Sequence, residues 1–384
     1  MTRILVFGIF LALVTWLLHR RLVRATGLSR RTARAADLAL VLLWALAMLG
    51  IGTGEVFHPR WTRIPGFVGW VWLAAMLYLV AGLLVVSIGS GIARAAGRPR
   101  PTDPSRRRVL RGATAVVTLA AVGAAAYGVA EAARPRIQRV RVPLDRLPSP
   151  FAGTRIALVT DLHVGPARGV GFTRQVVDLV NAENPELILL GGDLVDGTVA
   201  KVGPDLEPLR DLRAPLGVFG VSGNHEFYAG DGGPWLDLWD QLGIHTLRNE
   251  RVEIRRGGAA IDLAGIHDHS SPVPFEPDLP AALAGRDPER FVLLLAHQPK
   301  QAIEASEFGV DLQLSGHTHG GQMWPLGYLV PLQQPSVTGL DRIGNTVLYT
   351  SRGVGAWGPP VRVGAPPEIT ILELASRAPT FDRR

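Results

Sequence analysis

The first 134 residues constrain this chain more than any other part of it, because they hold four long apolar runs, at 4–18, 38–51, 66–93 and 112–130. A helix that crosses a bilayer needs about 20 mostly apolar residues, with a range of roughly 17–25. The third run meets that length, with Trp70, Trp72 and Tyr78 along it. The first two reach it with their flanks, and the fourth, GATAVVTLAAVGAAAYGVA, is the weakest anchor. None of the runs has a polar side, whereas a helix of a soluble bundle keeps one face for water. The expectation is a membrane region over 1–134 with about four transmembrane helices.

Charge sorts the chain the same way. The formal net charge is +7, but residues 1–134 carry 17 Arg, no Lys and 4 acids, a net of +13, which leaves −6 for 135–384. The first connection holds Arg20, Arg21, Arg24, Arg30, Arg31 and Arg34. The third holds Arg94, Arg98, Arg100, Arg106, Arg107, Arg108 and Arg111, while the second has only Arg60 and Arg63. Positive loops stay in the cytoplasm. The amino terminus and everything from about Arg134 onward are therefore expected outside a bacterial cytoplasmic membrane. Ser105-Arg106-Arg107-Arg108-Val109-Leu110-Arg111 ahead of an Ala-rich stretch also resembles a twin-arginine export signal, the alternative being an ordinary inner loop. Small residues such as Ala130 and Ala132 leave room for cleavage. The apolar runs hold almost no ionisable residue, which argues against a transport pathway.

The remainder reads differently. With 47% apolar and 19% charged residues the chain is not disordered, and the absence of cysteine excludes disulfide scaffolds, thiolate zinc sites and cysteine nucleophiles. Residues 135–150 read as a linker or an edge strand, and 151–384 as a catalytic domain. RIALVT (155–160), LILL (187–190) and GVFGVS (217–222) are strand runs, separated by helical patterns at 171–182, 205–213 and 234–242. Such alternation indicates parallel strands with crossover helices. AIDLAGI, FVLLLA, LQLS, TVLYTS and EITILEL come later as further strands. One doubly wound sheet would not hold them all; two sheets packed face to face with outer helices fit better.

The functional signal lies just past the ends of these strand runs. There stand Asp161-Leu162-His163, Gly191-Gly192-Asp193, Gly223-Asn224-His225-Glu226, His297, and Gly316-His317-Thr318-His319-Gly320-Gly321-Gln322. In α/β folds ligands collect at the carboxyl ends of strands. These are oxygen and imidazole donors without sulfur, a set that suits Mn²⁺, Fe²⁺ or Zn²⁺. Seven ligands exceed what one tetrahedral ion uses, so two divalent metal ions sharing a carboxylate is the economical reading. Gly191, Gly192, Gly223 and Gly316 would permit positive-φ turns that swing a side chain off a strand end. Singly each motif is weak; jointly, each behind a β-type run, they are not coincidence.

TDLHVG, GGDLVDG, GNHE, AHQP and SGHTHGGQ resemble the signature blocks of the calcineurin-like metallophosphoesterases, over roughly 152–375. Within that superfamily the chain is similar to a membrane-associated bacterial branch that ends in GHTHGGQ. That branch includes twin-arginine-exported phosphoesterases and a lipid-precursor pyrophosphate hydrolase. The resemblance implies a four-layer α/β/β/α sandwich. It also implies that Asp161, His163 and His319 hold one ion, that Asn224, His297 and His317 hold the other, and that Asp193 bridges both. His225 would sit beside the scissile phosphate without binding metal, as the acid for the leaving group.

Lower-ranked candidates complete the reading. Glu226 is expected behind a ligand or exposed. His267 and Asp268 would line the substrate cleft or lie in a surface loop. Arg352 would meet a phosphate in fork geometry or serve an ordinary turn. Trp235, Trp239, Trp324 and Trp357 are expected in the core, or flanking an apolar substrate chain. The function that results is a membrane-tethered, dimetal hydrolase of phosphoester, phosphodiester or pyrophosphate bonds in a small-molecule, lipid or envelope substrate. A metal-binding membrane receptor or scaffold without catalysis is the alternative. The acidic second part lacks the basic stripe a nucleic acid requires.

Overall fold

In a computed structural model of the full chain, residues 2–95 and 103–377 are described. Arg98 and Arg100 of the third connection lie outside them. The chain forms two compact units, Met1–Glu131 with Gly358–Val361, and Ala132–Trp357 with Arg362–Arg384.

The first unit holds four helices, α1 (Thr2–Leu18), α2 (Arg30–Gly52), α3 (Pro59–Ala95) and α4 (Asp103–Ala132). A π-helical turn, His19–Arg24, extends α1. By length and composition all four helices carry segments able to cross a membrane: Ile4–Arg24, Arg30–Gly52, Pro59–Ile92 and Arg111–Ala132, of 21, 23, 34 and 22 residues. Their outer faces expose Leu5, Phe7, Leu42, Leu84 and Val85, while the small interior comprises Leu11, Leu18, Ala47, Met76, Leu79 and Ala121. An apolar exterior around a thin interior suits lipid, not water. Gly50 and Gly69 let α2 and α3 approach closely, since a Cβ at either would strike the backbone of the other helix.

The second unit contains two six-stranded sheets. The strands are β1 (Arg136–Leu144), β2 (Arg155–Val159), β3 (Leu187–Leu190), β4 (Val218–Gly220), β5 (His245–Thr246), β6 (Glu250–Arg256), β7 (Ala259–Gly265), β8 (Val292–Leu295), β9 (Leu312–Ser315), β10 (Gly339–Ile343), β11 (Thr346–Thr350) and β12 (Glu368–Ser376). One sheet runs β1-β12-β2-β3-β4-β5 and the other β10-β11-β9-β8-β7-β6. Strands β2 to β5 are mutually parallel, as are β7, β8, β9 and β11.

The near-continuous apolar runs of the central strands follow from burial on both faces. Side chains alternate across a strand. Ile156 and Leu158 of β2, Leu187 and Leu189 of β3, and Leu293 and Leu295 of β8 meet between the sheets. Their neighbours Ala157, Val159, Ile188 and Leu190 turn outward. There they pack against α5 (Val170–Ala182), a 3₁₀ segment Gly203–Asp211 and, beyond α6 (Val199–Val202) and α7 (His225–Tyr228), α8 (Gly232–Gln241). On the far side Val292 and Leu294 meet α9 (Leu279–Ala282) and α10 (Ala302–Glu307). The layers are helix, sheet, sheet, helix.

Some expectations need adjusting. Of the two readings of 135–150, residues 136–144 take the edge strand, β1, parallel to β12. The helix expected at 205–213 is a 3₁₀ segment, because Pro208 inside it removes an amide donor. Strands β5, β6 and β10 carry charged or polar residues along exposed faces, which hid them from an apolar-run reading. Trp235 and Trp239 are core residues, but Trp324 and Trp357 are exposed.

Candidate metal centre

Every candidate donor lies just past a strand end. Asp161 and His163 follow β2, Asp193 follows β3, Asn224 and His225 follow β4, His297 follows β8, and His317 and His319 follow β9. The parallel strands deliver seven of these side chains to one place, and Asn224 stands next to one of them, His225, in the chain. Three groups of converging ligand atoms result: Asp161, His163 and His319; His163, Asp193 and His225; and Asp193, His297 and His317.

The distances are short. His163 Nε2 lies 3.1 Å from His319 Nε2, and His319 Nε2 lies 3.4 Å from Asp161 Oδ1. Asp193 Oδ2 is 3.1 Å from His297 Nε2 and 3.8 Å from His163 Nε2, which puts it between the outer groups. His317 Nδ1 approaches His297 Nε2 at 3.3 Å. Asn224 donates through Nδ2 to the Tyr228 hydroxyl at 2.8 Å, while its Oδ1 is buried without a hydrogen-bond partner among the described residues. An orphaned buried acceptor costs about 1–3 kcal/mol.

Ring orientation is set from behind. His297 Nδ1 donates to the Gly191 carbonyl at 2.7 Å and His163 Nδ1 donates to Asp196 Oδ1 at 3.0 Å, so both Nε2 lone pairs face the centre. His225 Nδ1 donates to the same Asp196 oxygen at 2.6 Å. His319 differs. Its Nδ1 lies 2.9 Å from the Arg362 guanidinium, which can only donate, so the neutral ring keeps its proton on Nε2 and a cation held there must displace it.

The backbone is bent to achieve this. Asp161, His163, Asp193, His317 and His319 sit at φ 57°, 47°, 53°, 70° and 52°. Non-glycine residues in this region cost about 1–3 kcal/mol each. The strain therefore falls on the donors themselves. Of the four glycines expected to supply positive φ, only Gly192 (φ 88°) does. Gly223 and Gly316 are needed for space, since a Cβ would strike the Asp193 or Asp161 carboxylate.

Glu226 explains how two of the loops meet. Fully buried, it accepts from the backbone amides of Asp193 (3.1 Å), Leu194 (2.8 Å) and Gly223 (2.6 Å), joining the turns after β3 and β4. Burial and the nearby Asp193 raise its carboxyl to about 7. The electrostatics follow the same crowding. Burial disfavours a charged His225 ring, but Asp193 and Asp196 outweigh it and raise the ring to about 9. His297 is likewise raised well above normal, against its burial, chiefly by Asp193. Burial and the His297 charge push His317 down to about 3. Burial favours the neutral acid at Asp193, yet His297 and His225 hold it well below the usual range.

The lower-ranked candidates take other places. Arg352 gives Nε and Nη2 to Glu368 Oε2 at 2.6 and 2.5 Å, so that edge of its guanidinium is taken by a carboxylate. His267 and Asp268 are buried, not in a surface loop. Asp268 accepts from Gln298 Nε2 at 2.9 Å, and His267 Nδ1 lies 3.1 Å from Ser222 Oγ. Two residues escaped the sequence reading. Asp196 stands three positions after Asp193 within GGDLVDG, and that spacing was its only signal. Arg362, fully buried, gives no local signal at all; it donates to carbonyls of His319, Arg352 and Gly355 as well as to the His319 ring.

The donor set fits divalent cations on three counts. Nitrogen and oxygen atoms converge from five loops, the amide oxygen of Asn224 on one of those loops is buried and unsatisfied among the described residues, and two ring lone pairs are aimed inward by partners behind them. Residues 154–321 match the family model described as calcineurin-like phosphoesterase. An uncharacterised metallophosphoesterase of Helicobacter pylori is 40% identical over 277 residues, covering 71% of this chain and 73% of that protein. A transmembrane protein with metallophosphoesterase domain from Bos taurus is 33% identical over 382 residues, covering 91% and 85%. Its counterpart in Danio rerio is 36% identical over 261 residues, covering 65% and 60%. Strand-end donors, two packed sheets and relatives matched over most of their length agree: the chain belongs to the calcineurin-like metallophosphoesterases, metal-dependent hydrolases of phosphoric esters.

Proposed function

We propose that this chain is a membrane-tethered phosphoesterase using two divalent cations, Mn²⁺, Fe²⁺ or Zn²⁺, to hydrolyse a phosphomonoester, phosphodiester or pyrophosphate on the extracytoplasmic side of a bacterial cytoplasmic membrane. The observation that supports it most is the convergence of six imidazole and carboxylate donors beside one histidine, His225, whose neighbour Asn224 has a buried amide oxygen without a hydrogen-bond partner among the described residues. In this reading Asp161, His163 and His319 hold one cation, Asn224, His297 and His317 hold the other, and Asp193 belongs to both. Bound cations supply Lewis acidity, activating a water for attack on phosphorus and neutralising charge on the phosphoryl oxygens.

The protein groups do the rest. Asp196 fixes both His163 and His225 through one oxygen. His225 Nε2 points inward, 4.0 Å from Asp193 Oδ2, and the Asp196 carboxylate on its Nδ1 favours the ring that carries a proton on Nε2 as well. That proton is the one the leaving oxygen takes, so no covalent enzyme intermediate is needed. A lipid or cell-envelope ester is the substrate class that suits a chain with four apolar helices, and the net charge of −6 over 135–384 disfavours nucleic acid.

The test uses the full chain in detergent with Mn²⁺, assayed on a chromogenic phosphodiester and a phosphomonoester. Asp193→Ala should abolish turnover and lower the bound metal. His225→Ala should lower turnover by about 10²–10⁴ with metal content near normal. Full activity in the His225 variant would remove its acid role. No turnover on any ester, with metal bound, would leave the scaffold reading.

A further inference from the structure

Eleven large apolar side chains are exposed among the described residues of the second unit, and six of them lie near the metal centre in space or in sequence: Tyr228 and Trp357 beside His225, and Trp324, Tyr328, Leu329 and Leu332 on the stretch that follows His319. Tyr328 and Leu332 are 77% and 80% exposed. Four of the six lie on one stretch, around the 3₁₀ segment Leu326–Leu332, LGYLVPL, in which no residue is buried. The whole of 320–340 lacks any Asp, Glu, Lys, Arg or His. A 21-residue charge-free segment in a chain with 19% charged residues is not ordinary loop composition.

The lip is built onto the centre. It begins at Gln322, directly after the His317–His319 loop. Gln322 and Trp357 clasp each other, with Trp357 N donating to Gln322 Oε1 at 2.9 Å and Gln322 Nε2 to Trp357 O at 2.8 Å. Trp324 N is anchored on the Val363 carbonyl at 2.8 Å. The Trp357 and Tyr228 rings stand 6.1 and 4.5 Å from the His225 ring.

We propose that this lip is a membrane-docking surface, its occupant the interfacial zone of a lipid leaflet, so that the metal centre draws its phosphoester from the bilayer. Trp, Tyr and Leu without charge are the composition that settles where headgroups meet acyl chains. A bilayer is also the apolar surface within constant reach. Only Ala133, Arg134 and Pro135 separate the last apolar helix from β1, a covalent reach of about 14 Å. This deepens the proposed function by naming where its substrate resides, and it rests on that reading only for the identity of the chemistry.

Docking is measurable without any turnover, so failure of one reading is visible apart from failure of the other. The chain has no cysteine, so Leu332→Cys, Tyr328→Cys and, as a reference on the same unit, Ile303→Cys each give one labelling site. Each full-length variant carries an environment-sensitive fluorophore in phosphatidylcholine–phosphatidylglycerol vesicles doped with an acyl-chain nitroxide lipid, with iodide supplied on both sides. The probes at 328 and 332 should shift to the blue, lose on the order of half their intensity to the nitroxide, and resist iodide relative to 303. Equal iodide quenching at all three sites, with no nitroxide effect, would overturn the proposal. So would probes shielded from both quenchers together with a 332–332 disulfide in unlabelled protein, which would make the lip a contact between copies.

Discussion

In the proposed assignment two ligand groups share Asp193, and they are held by different means. Around Asp161, His163 and His319 the partners behind the rings are charged: Asp196 accepts from His163, and the Arg362 guanidinium donates to His319. Around His297 and His317 the one ring partner behind is a neutral carbonyl, that of Gly191, and the third member, Asn224, offers an oxygen with nothing on it. A carboxylate behind a ligand strengthens the ring as a donor, whereas a guanidinium leaves its proton facing the cation. On the proposed assignment the first group would be a fixed frame whose loading is tied to a proton, and the second a lighter frame that a cation would complete.

Removing Arg362 should have the largest effect. Its side chain is fully buried and, besides the His319 ring, serves the His319 carbonyl and the carbonyls of Arg352 and Gly355. Arg362→Ala should cost about 3 kcal/mol or more in urea unfolding, because several buried acceptors lose their donor at once. Arg362→Lys should recover little of that, since an ammonium cannot reach the same fork of acceptors. Metal titration of whatever fraction folds should show the first cation lost and the second retained. Equal loss of both would break the comparison.

Asp196→Asn is the next test. The amide still has an oxygen to offer but no charge, so His163 becomes a weaker donor and His225 loses a carboxylate. We expect affinity at the first group to fall by about 10–100-fold, with the second group near its native affinity, in competition with a chromogenic chelator. Turnover should fall further than metal occupancy does, because His225 loses its orientation as well.

The parts of the molecule readable in the sequence are those whose contacts are local. The donors stand immediately behind strand runs, so LILL then Gly-Gly-Asp, or LQLS then Gly-His-Thr-His, carries both the placement and the chemistry. The two-sheet sandwich was readable for a related reason: central strands buried on both faces are nearly all apolar. Arg362 was not readable, because its meaning arises 43 positions away at His319. Nor were β6 and β10, in which one face is polar. Trp324 and Trp357 were expected in the core from residue type alone, and the charge-free stretch beside Trp324 carries no periodic pattern that would mark it as an exposed lip.

The smallest effect, and the one that most sharpens the contrast between the groups, is the pH dependence of the metal-free protein. Burial would keep His225 and His297 neutral, but Asp193 prevails, raising His225 from 6.5 to about 9 and His297 well above its usual value. Between pH 6.5 and 9 the folded chain therefore binds more protons than the unfolded chain, and stability must fall as pH rises. Their contribution is fully present below about pH 6.5. His317 has the opposite sign. Pushed down to about 3 by burial and the His297 charge, it removes stability only as pH falls below about 6.5, outside this window. With chelator present the melting temperature should decline through pH 6.5–9. With saturating Mn²⁺ the decline should shrink, because the cations neutralise the carboxylates that held those protons. Differential scanning fluorimetry across that range checks it, and a metal-free melting temperature that rises with pH would show that the carboxylates do not govern these rings.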